Sequence, residues 1–204
     1  MKNNLIRIAL LLSACCARGQ GTVQYDQQSS TNEPIPIGIG VSLRPGLAQS
    51  FIPNLSSVGF IRLYLDDPNL TGAGATVSIN LLDGPPSSGT LRGSTTPVFI
   101  SPGFVGYTNF FFSIPVTVNS GTSYYFAPIL QSGDSPINTE LLFDSSYPNG
   151  TAIIPPGISG FDLWFREGIA VPEPSSGLLV LLGITGYIYA VRNTTNPGDL
   201  KESS

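Results

Sequence analysis

The sequence predicts an all-β fold, an antiparallel β-sandwich of jelly-roll-like type, flanked by an N-terminal signal peptide and a single C-terminal transmembrane helix. Three observations lead there. Short apolar runs alternate with polar residues and show no helical period. Glycine (23 residues) and proline (18) make up about a fifth of the 204 residues and punctuate the joins between those runs. The two uncharged stretches that read as membrane-directed lie near the ends. The expected organisation is therefore a signal peptide over 1–19, a sandwich domain over 20–170, a membrane-directed segment over 171–192 and a polar tail over 193–204.

At the N-terminus, Lys2 and Arg7 precede the apolar run Ile8 to Leu12, which is too short to span a bilayer. Ala17-Arg18-Gly19 places small residues where a signal peptidase reads them, with cleavage before Gln20. Leu12-Ser13-Ala14-Cys15 offers a second route, because it resembles a bacterial lipobox in which Cys15 becomes the acylated first residue. Cys15 and Cys16 are the only cysteines and are adjacent, so they do not close a structural disulfide across the fold. After cleavage at Gln20 the domain has no cysteine and stands on its hydrophobic core.

Within the domain, Thr76 to Leu81 alternates with Val77, Ile79 and Leu81 on one face. Ile61, Leu63 and Leu65 alternate with Phe60, Arg62 and Tyr64, and Phe110, Phe112 and Ile114 oppose Asn109, Phe111 and Ser113. Further strands are expected at Val98 to Ile100, Tyr124 to Leu130, Leu141 to Ser145 and Phe161 to Arg166. Fainter patterns lie at Ile35 to Leu43, Gln49 to Ile52 and Thr151 to Ile154. This predicts eight to ten strands, with Pro128 marking an edge or a bulge because it donates no ladder hydrogen bond. The joins, Asp66-Asp67-Pro68-Asn69, Asp83-Gly84-Pro85-Pro86, Ser101-Pro102-Gly103, Asn119-Ser120-Gly121 and Tyr147-Pro148-Asn149-Gly150, carry turn residues.

The series Ala48-Gln49-Ser50-Phe51, Gly59 to Leu65, Thr76 to Ile79 and Pro115 to Phe126, ending in Gly121-Thr122-Ser123-Tyr124-Tyr125-Phe126, resembles the β-sandwich ectodomains of many secreted bacterial proteins. That resemblance implies a fold and an extracellular setting and assigns no ligand.

The C-terminal segment opens with Val171-Pro172-Glu173-Pro174-Ser175, a stiff extended hinge. Gly177 to Val191 follows without a charge, and Arg192 closes it. Fifteen helical residues reach about 22 Å, short of the roughly 30 Å hydrocarbon core, a length suited to a temporary anchor with Tyr187, Tyr189 and Arg192 at the interface. Proline-Glu-proline, an apolar helix and an arginine resemble the PEP-CTERM sorting signal of exported proteins in Gram-negative bacteria. By that resemblance Val171, Pro172, Glu173 and Pro174 form the motif read by exosortase, a membrane-embedded cysteine protease, and Arg192 is the stop of the membrane anchor. The chain departs from the pattern after Arg192, where the usual basic cluster is replaced by a tail containing Asp199, Lys201 and Glu202. A plain anchor on a proline-rich stalk is the alternative.

Charge and chemistry narrow the function. Between Gln20 and Val171 ten acids face four bases, Arg44, Arg62, Arg92 and Arg166, which are scattered. No basic stripe exists to neutralise successive phosphates, which argues against nucleic acid as a partner. Histidine is absent, so Ser-His-Asp and Cys-His nucleophile systems and His-containing zinc sites are excluded. The only lysines, Lys2 and Lys201, lie outside the domain. Carboxylate chemistry is the enzymatic route left, with Asp66 and Asp144 the residues to test, and no pair declares itself.

Asp66 and Asp67 read first as part of a turn. With Asn69, Asp134 and Asp144 they also form the oxygen-rich loops that calcium would use, the one cofactor the sequence entertains. Trp164, the single tryptophan, is expected on the outer face with Asp162 and Arg166 if Leu163 and Phe165 face inward. There it could stack on a sugar ring, joined by Tyr147 and by Tyr124 or Tyr125, although burial between the sheets is the competing role for each. The expectation is an exported, non-enzymatic protein of the cell envelope, cell surface or extracellular matrix, anchored in the membrane before processing. Its expected partners are exosortase and the secretion machinery, with an association with exopolysaccharide. A carbohydrate-binding module and a carboxylate-dependent glycosidase are the alternatives.

Overall fold

A computed structural model describes residues 22–32, 39–133, 136–143, 147–158 and 160–171, and among these the regular elements are thirteen strands. They are β1 (Thr22–Gln28), β2 (Ile39–Ser42), β3 (Ala48–Phe51), β4 (Ser57–Asp66), β5 (Ala75–Leu82), β6 (Leu91–Ser94) and β7 (Val98–Ile100). β8 (Val105–Thr117), β9 (Tyr124–Gly133), β10 (Asn138–Phe143), β11 (Ala152–Ile153), β12 (Phe161–Leu163) and β13 (Phe165–Val171) complete the series. Residues Val23–Ala170 form one compact unit. The expected signal peptide, Cys15, Pro172, Glu173, Pro174, the apolar segment with Arg192, and Asp134 and Asp144 lie outside the described residues.

Two antiparallel sheets make the fold. The first runs β1-β13-β4-β10-β12, with β8 along the other edge of β4 and β2 beside β10. The second runs β11-β3-β9-β5-β6, with β7 also on β5. The alternation read from the sequence sets the inner faces: Ile61, Leu63 and Leu65 from β4 meet Val77, Ile79 and Leu81 from β5 in one buried cluster. Phe165 of the first sheet lies 6.4 Å from Phe51 and 5.1 Å from Phe126 of the second, ring centre to ring centre, and all three are fully buried. Each such phenylalanine contributes about 1.5–3 kcal/mol through its burial.

The strand count exceeds the eight to ten expected, because β1 and β6 carry no apolar alternation. β1 is the polar run TVQYDQQ at the edge of its sheet, and β6, LRGS, is mostly exposed. The single strand expected over Phe161 to Arg166 divides at Trp164 and then runs on to Val171. The division has a topological cause. β4 pairs with β13 at Leu63↔Phe165 and with β10 at Leu65↔Thr139, while β10 pairs with β12 at Leu141↔Leu163. Trp164 sits at this three-way junction, where its backbone N–H donates to the Glu140 carbonyl at 2.9 Å.

Pro128 lies on β9, which is an inner strand, yet beyond Phe126 the register with β3 ends and only β5 pairs with it. The missing N–H therefore falls where β9 has one ladder partner. Gly168 marks a close approach of another kind. A Cβ there would run into the Gln24 carbonyl and Tyr25 of β1, so glycine is what lets the edge strand seat against β13.

Candidate functional site

The outer face of the first sheet holds a polar cleft of about 350 Å³, at the small end of the range for ligand sites. β4 supplies Tyr64 and Asp66, β10 supplies Asn138, Thr139 and Glu140, and Val105 stands at the start of β8. Register explains the grouping: Asp66 lies opposite Asn138 and Leu65 opposite Thr139, so Tyr64, Asp66, Asn138 and Glu140 share the face turned away from the core. Burial pushes the Tyr64 phenol above its ordinary range, and the Glu140 and Asp66 carboxylates add to the shift. Asn138 Oδ1 accepts from Ser42 Oγ at 2.8 Å, which leaves the amide nitrogen as the free-standing donor of that side chain. The cleft thus combines two carboxylates, an amide, a phenol and an apolar rim.

Behind Tyr64 the same face carries an aromatic and guanidinium layer. Tyr64 meets Tyr107 edge-on at 5.2 Å, Tyr107 lies 4.7 Å from Trp164, and the Arg62 guanidinium stands 4.6 Å over the Tyr107 ring. The segment after β1 covers this layer. Trp164 Nε1 donates to the Asn32 carbonyl at 3.2 Å, and Arg166 donates to the carbonyls of Ser30 and Thr31.

A second polar region is enclosed between the sheets. Asp162, fully buried, accepts from Gln49 Nε2 at 2.9 Å and from the Tyr147 backbone N–H at 2.8 Å. Tyr147 Oη donates to Gln27 Oε1 at 3.0 Å and accepts from the Ile52 N–H. Burial pushes the Tyr147 phenol up to about 12; the Ile52 N–H opposes this, while the charges of Glu167, Asp26 and Asp162 reinforce it. Glu167 lies deepest. It is fully buried, and neither of its carboxyl oxygens accepts a well-formed hydrogen bond. Burial pushes this carboxyl up to about 9, aided by the charge of Asp26 and a side-chain hydrogen bond to it, with a smaller opposing pull from the Gln27 backbone. At neutral pH Glu167 therefore carries a proton.

Several sequence expectations change. Trp164, Tyr147 and Tyr124 are 0%, 3% and 4% exposed, so none presents a ring face to a sugar. Trp164 is covered by the segment ending at Asn32, Tyr147 packs edge-on against Phe165, and the Tyr124 hydroxyl accepts from the Asn119 N–H. Asp162 does not share an outer face with Trp164, because the break between β12 and β13 resets the alternation and its carboxylate bonds to Gln49. Asp66 and Asp67 are not brought together as a cation site. Asp66 lines the cleft, whereas Asp67 is buried and its Oδ1 closes an Asx turn by accepting from the Asn69 N–H at 2.8 Å. Among the described residues no group of three or more Asp, Glu, His or Cys side chains converges as a metal site.

Sequence reading missed Glu140, Asn138 and Tyr64 as neighbours of Asp66. The signal was faint: Asn138 and Glu140 occupy alternate positions of a strand that otherwise reads as apolar, and nothing local names β4 as its neighbour. No protein-family model matches this chain, and no curated protein matches it significantly.

Proposed function

We propose that this chain is an exported, non-enzymatic β-sandwich protein of the cell surface or extracellular matrix, delivered by its signal peptide and processed through a PEP-CTERM-type signal over Val171 to Arg192. One observation carries the reading. The compact unit begins at Val23, three residues after the expected cut before Gln20, and closes at Ala170, one residue before the Val171-Pro172-Glu173-Pro174 motif. The two segments fall outside this unit, and of the motif only Val171, exposed at the end of β13, belongs to a described strand. By resemblance, exosortase and the secretion machinery are the partners in processing, and exopolysaccharide is the matrix with which the mature domain associates. Mass spectrometry of the protein from its native host tests this. The expected species begins at Gln20, or at a lipidated Cys15, and has lost Ser204; a mature species with both Met1 and Ser204 overturns the proposal.

A second reading is saccharide binding, and the cleft favours it over the three buried aromatics. Hydroxyl groups of a sugar would donate to Asp66 and accept from Asn138, with Val105 at the apolar edge. A glycan array probed with the wild-type domain and with Asp66→Asn decides it. Binding that the substitution weakens supports the reading, and the absence of any glycan signal removes it.

A further inference from the structure

We propose that Asp26 and Glu167 form a one-proton clamp that holds the edge strand β1 and the segment after it on the sheet, and that removing this proton in alkaline solution lifts them off and uncovers Trp164. This goes beyond the sorting and saccharide readings and depends on neither.

The placement of the two acids argues for it. Asp26 is on β1, which has a single neighbouring strand, β13, and Glu167 is on β13 itself. Asp26 Oδ2 accepts from the backbone N–H groups of Asn54 and Leu55 at 2.8 and 2.9 Å, so its carboxylate ties β1 to the loop before β4. Gly168 packs against Gln24 and Tyr25, which sets the next residues of the two neighbouring strands, Asp26 and Glu167, side by side. Glu167 is fully buried with no well-formed hydrogen bond to either carboxyl oxygen, so the pair is held together only while it retains one proton. When hydroxide takes that proton, the O–H bond of the Glu167 carboxylic acid breaks, water forms, and a buried carboxylate is left beside the half-buried Asp26 carboxylate.

Among the described residues no cation bears on Glu167 to relieve that repulsion. The ionisable group beside both acids is Tyr147, whose phenol their charges hold in the neutral form, and Asp162 adds to that effect on Tyr147. Arg62 and Arg166 pair in register on the opposite face of the sheet, where Tyr25, Tyr107 and Trp164 engage them. β13 is locked between two strands, so the strand free to yield is β1. The segment behind it, Ser29 to Asn32, is hydrogen-bonded to β13 and Trp164: the Phe165 N–H donates to Ser29 Oγ at 2.8 Å, and Asn32 caps the indole.

Trp164, the only tryptophan of the chain, reports the opening. The experiment follows its emission maximum in the full chain from neutral to strongly alkaline solution, for wild type, Glu167→Gln and Asp26→Asn. Wild type is expected to shift to the red with a midpoint near pH 9; Glu167→Gln is expected to lose that transition, and Asp26→Asn to move it to lower pH, since burial of Glu167 remains. Carbon NMR of the Glu167 carboxyl in the wild type reads the proton directly and needs no variant to fold; titration at the same midpoint supports the clamp. A Glu167 carboxyl that titrates in the ordinary carboxylate range overturns it. So does a red shift that Glu167→Gln retains, since tyrosine ionisation would then be its source. Reclosure on adding calcium in alkaline solution also overturns it, because the pair would then be holding a cation rather than a proton.

Discussion

Two regions of this sandwich are built around acids and treat them in opposite ways. In the cleft, Asp66 and Glu140 stand on the outer face of the first sheet beside Tyr64 and Asn138, Asp66 partly exposed and Glu140 buried. Between the sheets, Asp162 and Glu167 lie buried near Tyr147, with the half-buried Asp26 at the sheet edge, and among the described residues no cation acts on Tyr147 or Glu167. The cleft presents Asp66, which is partly exposed, as an acceptor for a ligand. The interior uses up its acids in tying strands together, through backbone and amide donors for Asp26 and Asp162 and through a retained proton for Glu167. The groups around each acid, not its residue type, separate the cleft from the structural joint here.

Trp164 lies between the two regions, and truncating it is expected to have the largest effect. Trp164→Ala removes a fully buried ring from the junction and is expected to cost about 3–5 kcal/mol in urea unfolding. A loss below about 1 kcal/mol would mean that the indole is not packed at that junction and would return it to the candidate ligand platforms.

Next comes Asp162→Ala, which strands the Gln49 amide and the Tyr147 N–H in a dry interior and is expected to cost about 3 kcal/mol. An unchanged midpoint would break the contrast, since the interior acids would then carry no structural weight.

Glu167 has a signed pH dependence. Its folded-state value is raised, so its stabilising contribution is complete below the unfolded value of 4.5 and is lost as pH rises toward and through about 9. Wild-type stability should therefore fall across that window, and Glu167→Gln should flatten the slope and gain about 2 kcal/mol in mildly alkaline solution. Chemical unfolding at several pH values checks both statements.

The smallest effect belongs to the cleft. Asp66→Asn is expected to change stability by less than about 0.5 kcal/mol, because the side chain is partly solvated and bears no structural load. It should also lower the Tyr64 titration, read by ultraviolet absorbance, since the Asp66 charge is one of the causes that raise it. An unmoved tyrosine would separate Asp66 from the cleft.

Much of the fold was legible where strands are apolar and alternate. Val98 to Ile100 is β7 without change, Thr76 to Leu81 lies within β5, and Ile61, Leu63 and Leu65 face the core as their spacing requires. β1 and β6 were not legible, because an edge strand is specified by its neighbour's open hydrogen bonds more than by its own pattern. The cleft was half legible. Asp66 stood out beside Asp67 and Pro68, but adjacency in sequence suggested the wrong companion: the Asx turn withdraws Asp67, and the pairing of β4 with β10 brings in Glu140 from more than seventy residues away.

By itself the sequence determined an all-β chain with turn chemistry at its joins, no histidine for catalysis, and an uncharged apolar stretch near either end. Period-two patterning and turn residues act over a few positions, which is why they can be read in one dimension. Only the tertiary structure decided that Trp164, Tyr147 and Tyr124 are buried, that Asp66 belongs with Glu140, and that Glu167 faces Asp26. Those outcomes depend on which strands pair and on what the folded chain seals from water, and neither is written in the local order of residues.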